Sequence, residues 1–175
     1  MKINKIHEDI YEIEEFITQL EVDSILKYLD SGEWGDSRSG SHWEKRIKKL
    51  NPRPEELNDI CKRIANLFLS YGVVNNIDSI QRFEIGGSMS IHIDKMPYNN
   101  VKYGMVCYLN DNYEGGEIYY PDLNIEIKPK SKSLVIHRGD IRHGVKEVLS
   151  GSDRYFLTTF AQANDSNDVA LKSFE

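Results

Sequence analysis

Between Ile85 and Asp94 the chain reads Ile-Gly-Gly-Ser-Met-Ser-Ile-His-Ile-Asp. From Ser88 onward polar and apolar residues alternate with the period of a β-strand. Ser88, Ser90, His92 and Asp94 are therefore expected on one face, and Met89, Ile91 and Ile93 on the other. An imidazole and a carboxylate two residues apart then project in the same direction. One further histidine completes the two-imidazole, one-carboxylate set that holds non-haem Fe(II) and leaves coordination positions open. His143, about fifty residues downstream, is the candidate third ligand. His137 is its rival and is read as a rim or loop residue packed near Arg138. His7 and His42 lie outside the pattern and are expected at the surface.

Beyond His143 the residues Ser150-Gly151-Ser152 read as a turn, which sends the next strand back antiparallel and returns Arg154 toward the metal end. A guanidinium is a planar fork of donors suited to a carboxylate lying deep in a pocket.

The elements that must position these groups follow from patterning. Ile10 to Ile17 alternates as a strand. Thr18 with Glu21 has the form of a capping box and starts a helix, whose stripe is Val22, Ile25, Leu26 and Leu29 and whose stop is Gly32. Residues 32–44 read as a Gly/Ser-rich loop holding Trp34 and Trp43, which either anchor it to the core or contact substrate as part of a mobile flap. Glu44 to Lys49 is a basic run, read as a solvated face. A second helix is expected from Pro54 to Tyr71, with Leu57, Ile60, Cys61, Ile64, Phe68 and Tyr71 inward and Gly72 as its end. Strands are expected near 77–83, 88–94, 102–109, 116–120, 124–128, 133–137, 143–148 and 154–161. Short strands separated by Gly, Asn, Asp and Pro predict a mainly β chain with N-terminal helices, a jelly roll with the two helices packed on one sheet. One domain is expected over 1–175: a strand and supporting helices over 1–72, a jelly-roll core over 73–162, and a loosely held tail over 163–175.

The apolar fraction of 39% and charged fraction of 29% are those of an ordinary globular chain. A net charge of -6 argues against a nucleic-acid partner. Cys61 and Cys107 lack metal-type spacing and read as buried thiols, which points to a reducing cytoplasm. No apolar run has the length of a membrane span, and no signal-peptide core follows Met1.

From about Ile80 to Phe160 the chain resembles the 2-oxoglutarate and Fe(II)-dependent dioxygenases, and within them the prolyl 4-hydroxylase-like group. The matching residues are His92-Ile-Asp94, Tyr108-Leu109-Asn110, Gly115-Gly116-Glu117, His143-Gly-Val145, and Gly151 ahead of Arg154-Tyr155. The strand-then-helix entry from Ile10 to Leu29 is similar too. The resemblance implies a double-stranded β-helix in which His92, Asp94 and His143 bind Fe(II), with no catalytic group beyond these ligands. It implies that Arg154 pairs with the distal carboxylate of 2-oxoglutarate and that Tyr108 offers a hydroxyl to the same carboxylate. O2 is the oxidant and ascorbate a helpful reductant. 2-Oxoglutarate is decarboxylated to succinate and CO2 while a C–H bond is hydroxylated.

Two residues depart from the pattern. Phe83 stands where a tyrosine is usual, which removes one hydroxyl from the oxoacid. Gly104 stands where a threonine is common, which widens that wall of the pocket. The expected substrate is peptidyl proline, as in procollagen-proline dioxygenases. The alternatives are a free amino acid, a small metabolite or a modified nucleobase under the same chemistry, or a silent metal-binding jelly roll that acts as an interaction module. Candidate substrate contacts are Trp34 and Trp43, Lys95 and Tyr98 in the loop after the metal strand, Arg142 beside His143, and Arg82 on the first barrel strand.

Overall fold

The fold is that of a computed structural model, which describes residues 1–30, 34–36, 46–49, 54–69, 73–163 and 169–174. Strand β1 (Lys2–His7) pairs with β2 (Ile10–Glu14) as an N-terminal hairpin; β1 carries no clear alternation and was not expected. Thr18 caps helix α1 (Gln19–Leu26) as the sequence requires: the Glu21 amide donates to Thr18 Oγ1, and the Thr18 amide donates to the Glu21 carboxylate. Val22 and Ile25 are the buried residues of that helix. Strands β3 (Gly35–Asp36) and β4 (Arg46–Lys49) follow, then helix α2 (Glu55–Ala65), which buries Leu57, Ile60 and Ile64.

Helix α2 is shorter than its periodicity predicts. The backbone beyond it turns to meet the C-terminal segment: Leu69 N–H donates to the Ala170 carbonyl, and Lys172 N–H to that of Leu67. Residues 169–174 are thus tied down rather than loose, with Val169 buried and Phe174 edge-on to Tyr11 at 5.6 Å. Tyr71 and Gly72 lie outside the described residues.

The rest is antiparallel sheet: β5 (Val73–Val74), β6 (Ser79–Phe83), β7 (Met89–His92), β8 (Val101–Tyr108), β9 (Tyr113–Gly115), β10 (Ile118–Tyr120), β11 (Ile125–Ile127), β12 (Leu134–Arg138), β13 (His143–Val145), β14 (Val148–Gly151) and β15 (Arg154–Gln162). The expected strand over 143–148 is broken into β13 and β14, and β9 is an addition. Among the described residues the larger sheet runs β1-β2-β12-β8-β15-β6-β4-β3, with β5 on the far end of β15, and the smaller runs β11-β10-β13-β7. The fold is mainly β, in the jelly-roll arrangement of two facing sheets.

Alternation along the larger sheet sorts its side chains into two cores. Met105, Cys107, Leu134, Ile136 and Leu157 point outward and pack with Val22, Ile25, Leu57, Ile60 and Ile64 of the helices. Ile10, Phe83, Tyr108, Val135 and Phe156 point inward and meet Ile118, Tyr120 and Val145 of the smaller sheet. β12 is buried on both faces, with Leu134 and Ile136 outward and Val135 and His137 inward. The inner face therefore reserves its polar positions for the site.

Candidate active site

β7 and β13 bring His92 and His143 together as paired residues. Their register then slips, so that Val145 pairs with Met89 and the four residues of β7 oppose the three of β13. This bulge breaks the expected alternation: Met89 packs against the inner core, while Ser88 and Ser90 are exposed. The bulge also turns the Ser90 carbonyl toward His92, which holds Nδ1 at 2.8 Å. His143 repeats the device, with Nδ1 at 2.9 Å from the Ile141 carbonyl. A carbonyl only accepts, so both rings carry their proton on Nδ1 and turn an Nε2 lone pair into the cavity.

Asp94 lies just past β7. Its amide and that of Lys95 both donate to the Gly139 carbonyl, and the Asn99 side chain donates to its carbonyl. Asp94 Oδ1 stands 3.6 Å from His92 Nε2 and 3.7 Å from His143 Nε2. Both distances are too long for hydrogen bonds. One ligand atom from each of the three residues lies within 4.8 Å of the others. Burial by itself raises the Asp94 pKa, yet the hydrogen bond from His137 and the neighbouring imidazoles outweigh it and hold the carboxyl well below its usual range. Burial pushes His143 down to about 3, helped by His137, so its ring is neutral across the working pH range. Two neutral imidazoles and one carboxylate are a donor set for a divalent cation such as Fe(II).

His137 is not the rim residue that the sequence suggested. Its inward position on β12 leaves it 1% exposed, with Nε2 at 3.0 Å from Asp94 Oδ2 and Nδ1 at 3.1 Å from the Tyr120 hydroxyl. Nor does Gly104 open a wall of the pocket. It pairs with His137 across β8 and β12, and the space a side chain would need is filled: a Cβ there would lie 2.1 Å from Asp94 Oδ2 and 2.7 Å from His137 Nε2. A glycine inside a strand signals such close approach, and this was the available clue to His137.

The far end of the cavity is built around Arg154, the first residue of β15 and 1% exposed. Its guanidinium carbon lies 4.4 Å from the ring centre of Phe156, 5.1 Å from that of Tyr108 and 5.3 Å from that of Phe83. Nε and Nη1 are buried with no hydrogen-bond partner among the described residues, and so are the hydroxyls of Tyr108 and Tyr113. Burial raises both phenols, so they stay protonated and able to donate. A buried cation and two buried donors without an acceptor form a costly arrangement that an anionic ligand would satisfy. The chemistry fits a carboxylate. Phe83 supplies an aromatic wall rather than a hydroxyl, and Tyr113, which the sequence reading did not single out, adds one from β9.

The surrounding motif residues position this end. Asn110 accepts from the Tyr155 amide at 2.8 Å and donates to Ser152 Oγ and the Asp153 carbonyl, which fixes the turn ahead of Arg154. Gly116 has φ +68°, and a Cβ on it would stand 3.0 Å from both Arg154 Cδ and Tyr113 Cε2. The Gly115-Gly116 pair therefore does more than make a turn. The cavity joining both ends encloses about 160 Å³ and is lined in its middle by Gln81, Val106 and Thr158.

The candidate substrate contacts scatter. Arg82 alternates with the inward Gln81 and Phe83 and so faces away from the cavity, stacked 4.4 Å over Trp34 and paired with Glu84 and Asp153. Trp34 packs against Tyr155 and the helix-covered core, the anchoring role, so neither reaches the site. Lys95 and Tyr98 are exposed in the loop after Asp94, Tyr98 by 83%. Arg142 pairs with Asp122 at the surface at 3.0 Å. Trp43 and His42 lie outside the described residues.

Comparison with known proteins gives a family match and a shared fold. Residues 79–162, which hold every group just placed in the cavity, match the family model of the 2OG-Fe(II) oxygenase superfamily. No curated protein sequence matches. Among solved structures, a Pseudomonas putida prolyl-4-hydroxylase superposes with a TM-score of 0.68 at 17% identity, covering 89% of this chain and 93% of that one. A viral collagen prolyl hydroxylase from Paramecium Bursaria Chlorella virus-1, in a 2OG complex, gives 0.69 at 17% identity over 90% and 97%. A Trichoplax adhaerens prolyl hydroxylase, in complex with a hypoxia inducible factor oxygen degradation domain peptide, gives 0.67 at 16% identity over 88% and 83%. At these identities the likeness is one of fold.

Proposed function

We propose that this chain, whose residues 79–162 match the family model of the 2OG-Fe(II) oxygenase superfamily, is an active dioxygenase that hydroxylates peptidyl proline. The observation that carries the reading is the paired construction of the cavity. A two-histidine, one-carboxylate cluster stands at one end, and a buried guanidinium whose Nε and Nη1 have no hydrogen-bond partner among the described residues stands at the other. His92, Asp94 and His143 would hold Fe(II). Arg154, Tyr108 and Tyr113 would hold the distal carboxylate of 2-oxoglutarate. With O2 these groups supply an oxidation that converts the oxoacid to succinate and CO2 and inserts one oxygen atom into a substrate C–H bond.

The protein's own share is placement and dryness. The Ser90 and Ile141 carbonyls fix the imidazole tautomers, and Asn110 fixes Arg154. Phe83, Phe156 and Val106 supply apolar wall between the ends, beside Gln81 and Thr158. The proline assignment is supported by the fold shared with prolyl hydroxylases, one of them solved with a peptide. We further propose that 1–175 is one catalytic domain and that ascorbate sustains turnover. A cytoplasmic setting fits the buried thiol of Cys107. Among the described residues no helix is long and apolar enough to cross a membrane.

The test is succinate formation from 2-oxoglutarate by purified protein with Fe(II) and ascorbate, followed by mass spectrometry for one added oxygen on a proline-rich peptide library and on free proline. The expected result is succinate that disappears in Asp94→Ala, with oxygen added to peptides. Metal binding with no succinate above that variant would make the protein a binding module. A product on free proline alone would overturn the peptide assignment.

A further inference from the structure

We infer that His137 is a positioning residue for the metal cluster: it occupies the outer oxygen of Asp94 and leaves the other as a single ligand atom. The inference rests on His92, Asp94 and His143 being the metal site. The two carboxylate oxygens have different neighbours. Oδ1 faces His92 Nε2 and His143 Nε2 at 3.6 and 3.7 Å, while Oδ2 faces His137 Nε2 at 3.0 Å.

The proton on His137 can be assigned. An ionised carboxylate only accepts, so Nε2 carries a hydrogen and donates it to Oδ2. In the neutral ring Nδ1 is then an acceptor, and the Tyr120 hydroxyl at 3.1 Å donates to it. Tyr120 is itself fully buried. The result is a directed chain, Tyr120 O–H to His137 to Asp94, with every member inside the barrel. An oxygen already engaged in a charge-assisted hydrogen bond is drawn away from a cation, which favours one-oxygen coordination and keeps further positions open for ligands.

The sequence makes room for this at one position. Any side chain at Gly104 would collide with both Asp94 Oδ2 and His137 Nε2, at 2.1 and 2.7 Å from its Cβ. The register places Gly104 directly beside His137. Gly104 and His137 thus act as a pair, the absence of one side chain admitting the other.

The experiment measures the dissociation constant of Mn(II), and the visible spectrum of the Co(II)-loaded protein, for wild type, Asp94→Ala, His137→Phe, His137→Leu, His137→Gln, Gly104→Ala and His137→Phe/Gly104→Ala. Loss of an outer hydrogen-bond partner typically weakens metal binding ~10–100-fold. That loss is expected for both donor-free variants, with a Co(II) spectrum altered by a change in coordination. His137→Gln can still present an N–H to Oδ2 and should stay within about threefold of wild type. Gly104→Ala should weaken binding comparably, and the double variant should be little worse than the weaker single one, since both free the same carboxylate. Melting temperatures identify a variant that fails to fold, and either donor-free variant then serves. Wild-type Mn(II) affinity and Co(II) spectrum in a folded donor-free variant would overturn the inference, as would His137→Gln being as weak as His137→Phe. If Asp94→Ala itself binds Mn(II) normally, the metal-site reading has failed rather than this refinement of it.

Discussion

Arg154→Met separates the cost of the carboxylate end from its use. Arg154 is 1% exposed, and its Nε and Nη1 have no hydrogen-bond partner among the described residues. Each buried polar group without a partner costs ~1–3 kcal/mol, so two cost about 2–6. Three aromatic rings within 4.4–5.3 Å of the guanidinium carbon offset much of that, at about 0.5–2 kcal/mol each, the upper figure being that of a desolvated cation. The two sums nearly cancel, so a flexible apolar chain of similar length costs the ligand-free fold little in its place. A shift of 1 kcal/mol moves the melting temperature of a domain this size by about 2–4 °C. Arg154→Met is therefore expected to melt within a few degrees of wild type in the absence of metal and 2-oxoglutarate. Its affinity for 2-oxoglutarate should fall. Removing one partner of a buried charge pair costs about 2–5 kcal/mol, roughly 30-fold or more. Differential scanning calorimetry of the ligand-free proteins and isothermal titration of 2-oxoglutarate into Mn(II)-loaded protein give the two numbers. A variant that melts well below wild type yet binds 2-oxoglutarate normally would refute the reasoning, because Arg154 would then be a structural cation.

Tyr113→Phe removes a buried hydroxyl that has no hydrogen-bond partner among the described residues, so it should leave stability unchanged or slightly higher while raising the KM for 2-oxoglutarate about tenfold, the worth of one hydrogen bond to a charged group. Gly116→Ala puts a Cβ at φ +68° and 3.0 Å from Arg154 and Tyr113; urea denaturation should show a loss of about 1–3 kcal/mol, together with weaker 2-oxoglutarate binding. Acid should weaken the metal-free fold through His143. Its native pKa is pushed down to about 3 from an ordinary 6.5 by burial, so the unfolded chain binds a proton that the native state refuses. Stability on this account is full above about pH 6.5 and falls as pH drops toward 3, by at most about 1.4 kcal/mol per pH unit. Urea midpoints of the metal-free protein at pH 7, 6 and 5 should fall, and His143→Gln should flatten the trend; a slope identical in the variant would exclude His143 as the cause.

What the sequence revealed depended on whether a feature was written in side-chain types. The capping box at Thr18 and Glu21 is such a feature, as are Val22 and Ile25 of the α1 stripe, His92 on β7 and the arginine after a Ser-Gly-Ser turn. These stand where the patterns put them. Features carried by backbone geometry were hidden. The bulge in β7 has no residue-type marker, so simple alternation placed Ser90 with His92 when only its carbonyl serves the site. The break between β13 and β14 was read as one strand for the same reason. His137 was missed because a histidine ending an apolar run reads as a strand terminus. Only its pairing with Gly104, which needs the register of β8 against β12, shows that the ring is drawn inward.

The same division explains how the cavity can be tuned. Its metal end is built on the smaller sheet and the loop clamped to Gly139, and its carboxylate end on β8, β9 and β15. His137 is the exception: it stands on the larger sheet yet bonds to Asp94, which follows a strand of the smaller one. This hydrogen bond adds to that from Gln162 of β15 to the Asn99 carbonyl in linking the sheet that carries Arg154 to the loop that carries a metal ligand. Substitutions at the carboxylate end alone, such as Tyr113→Phe, should leave Mn(II) affinity untouched, because distant sites with no shared partner act additively. Substitutions at Gly104 or His137 should disturb both ends, since they alter how the two sheets are held at the point where a bound oxoacid must reach from one to the other.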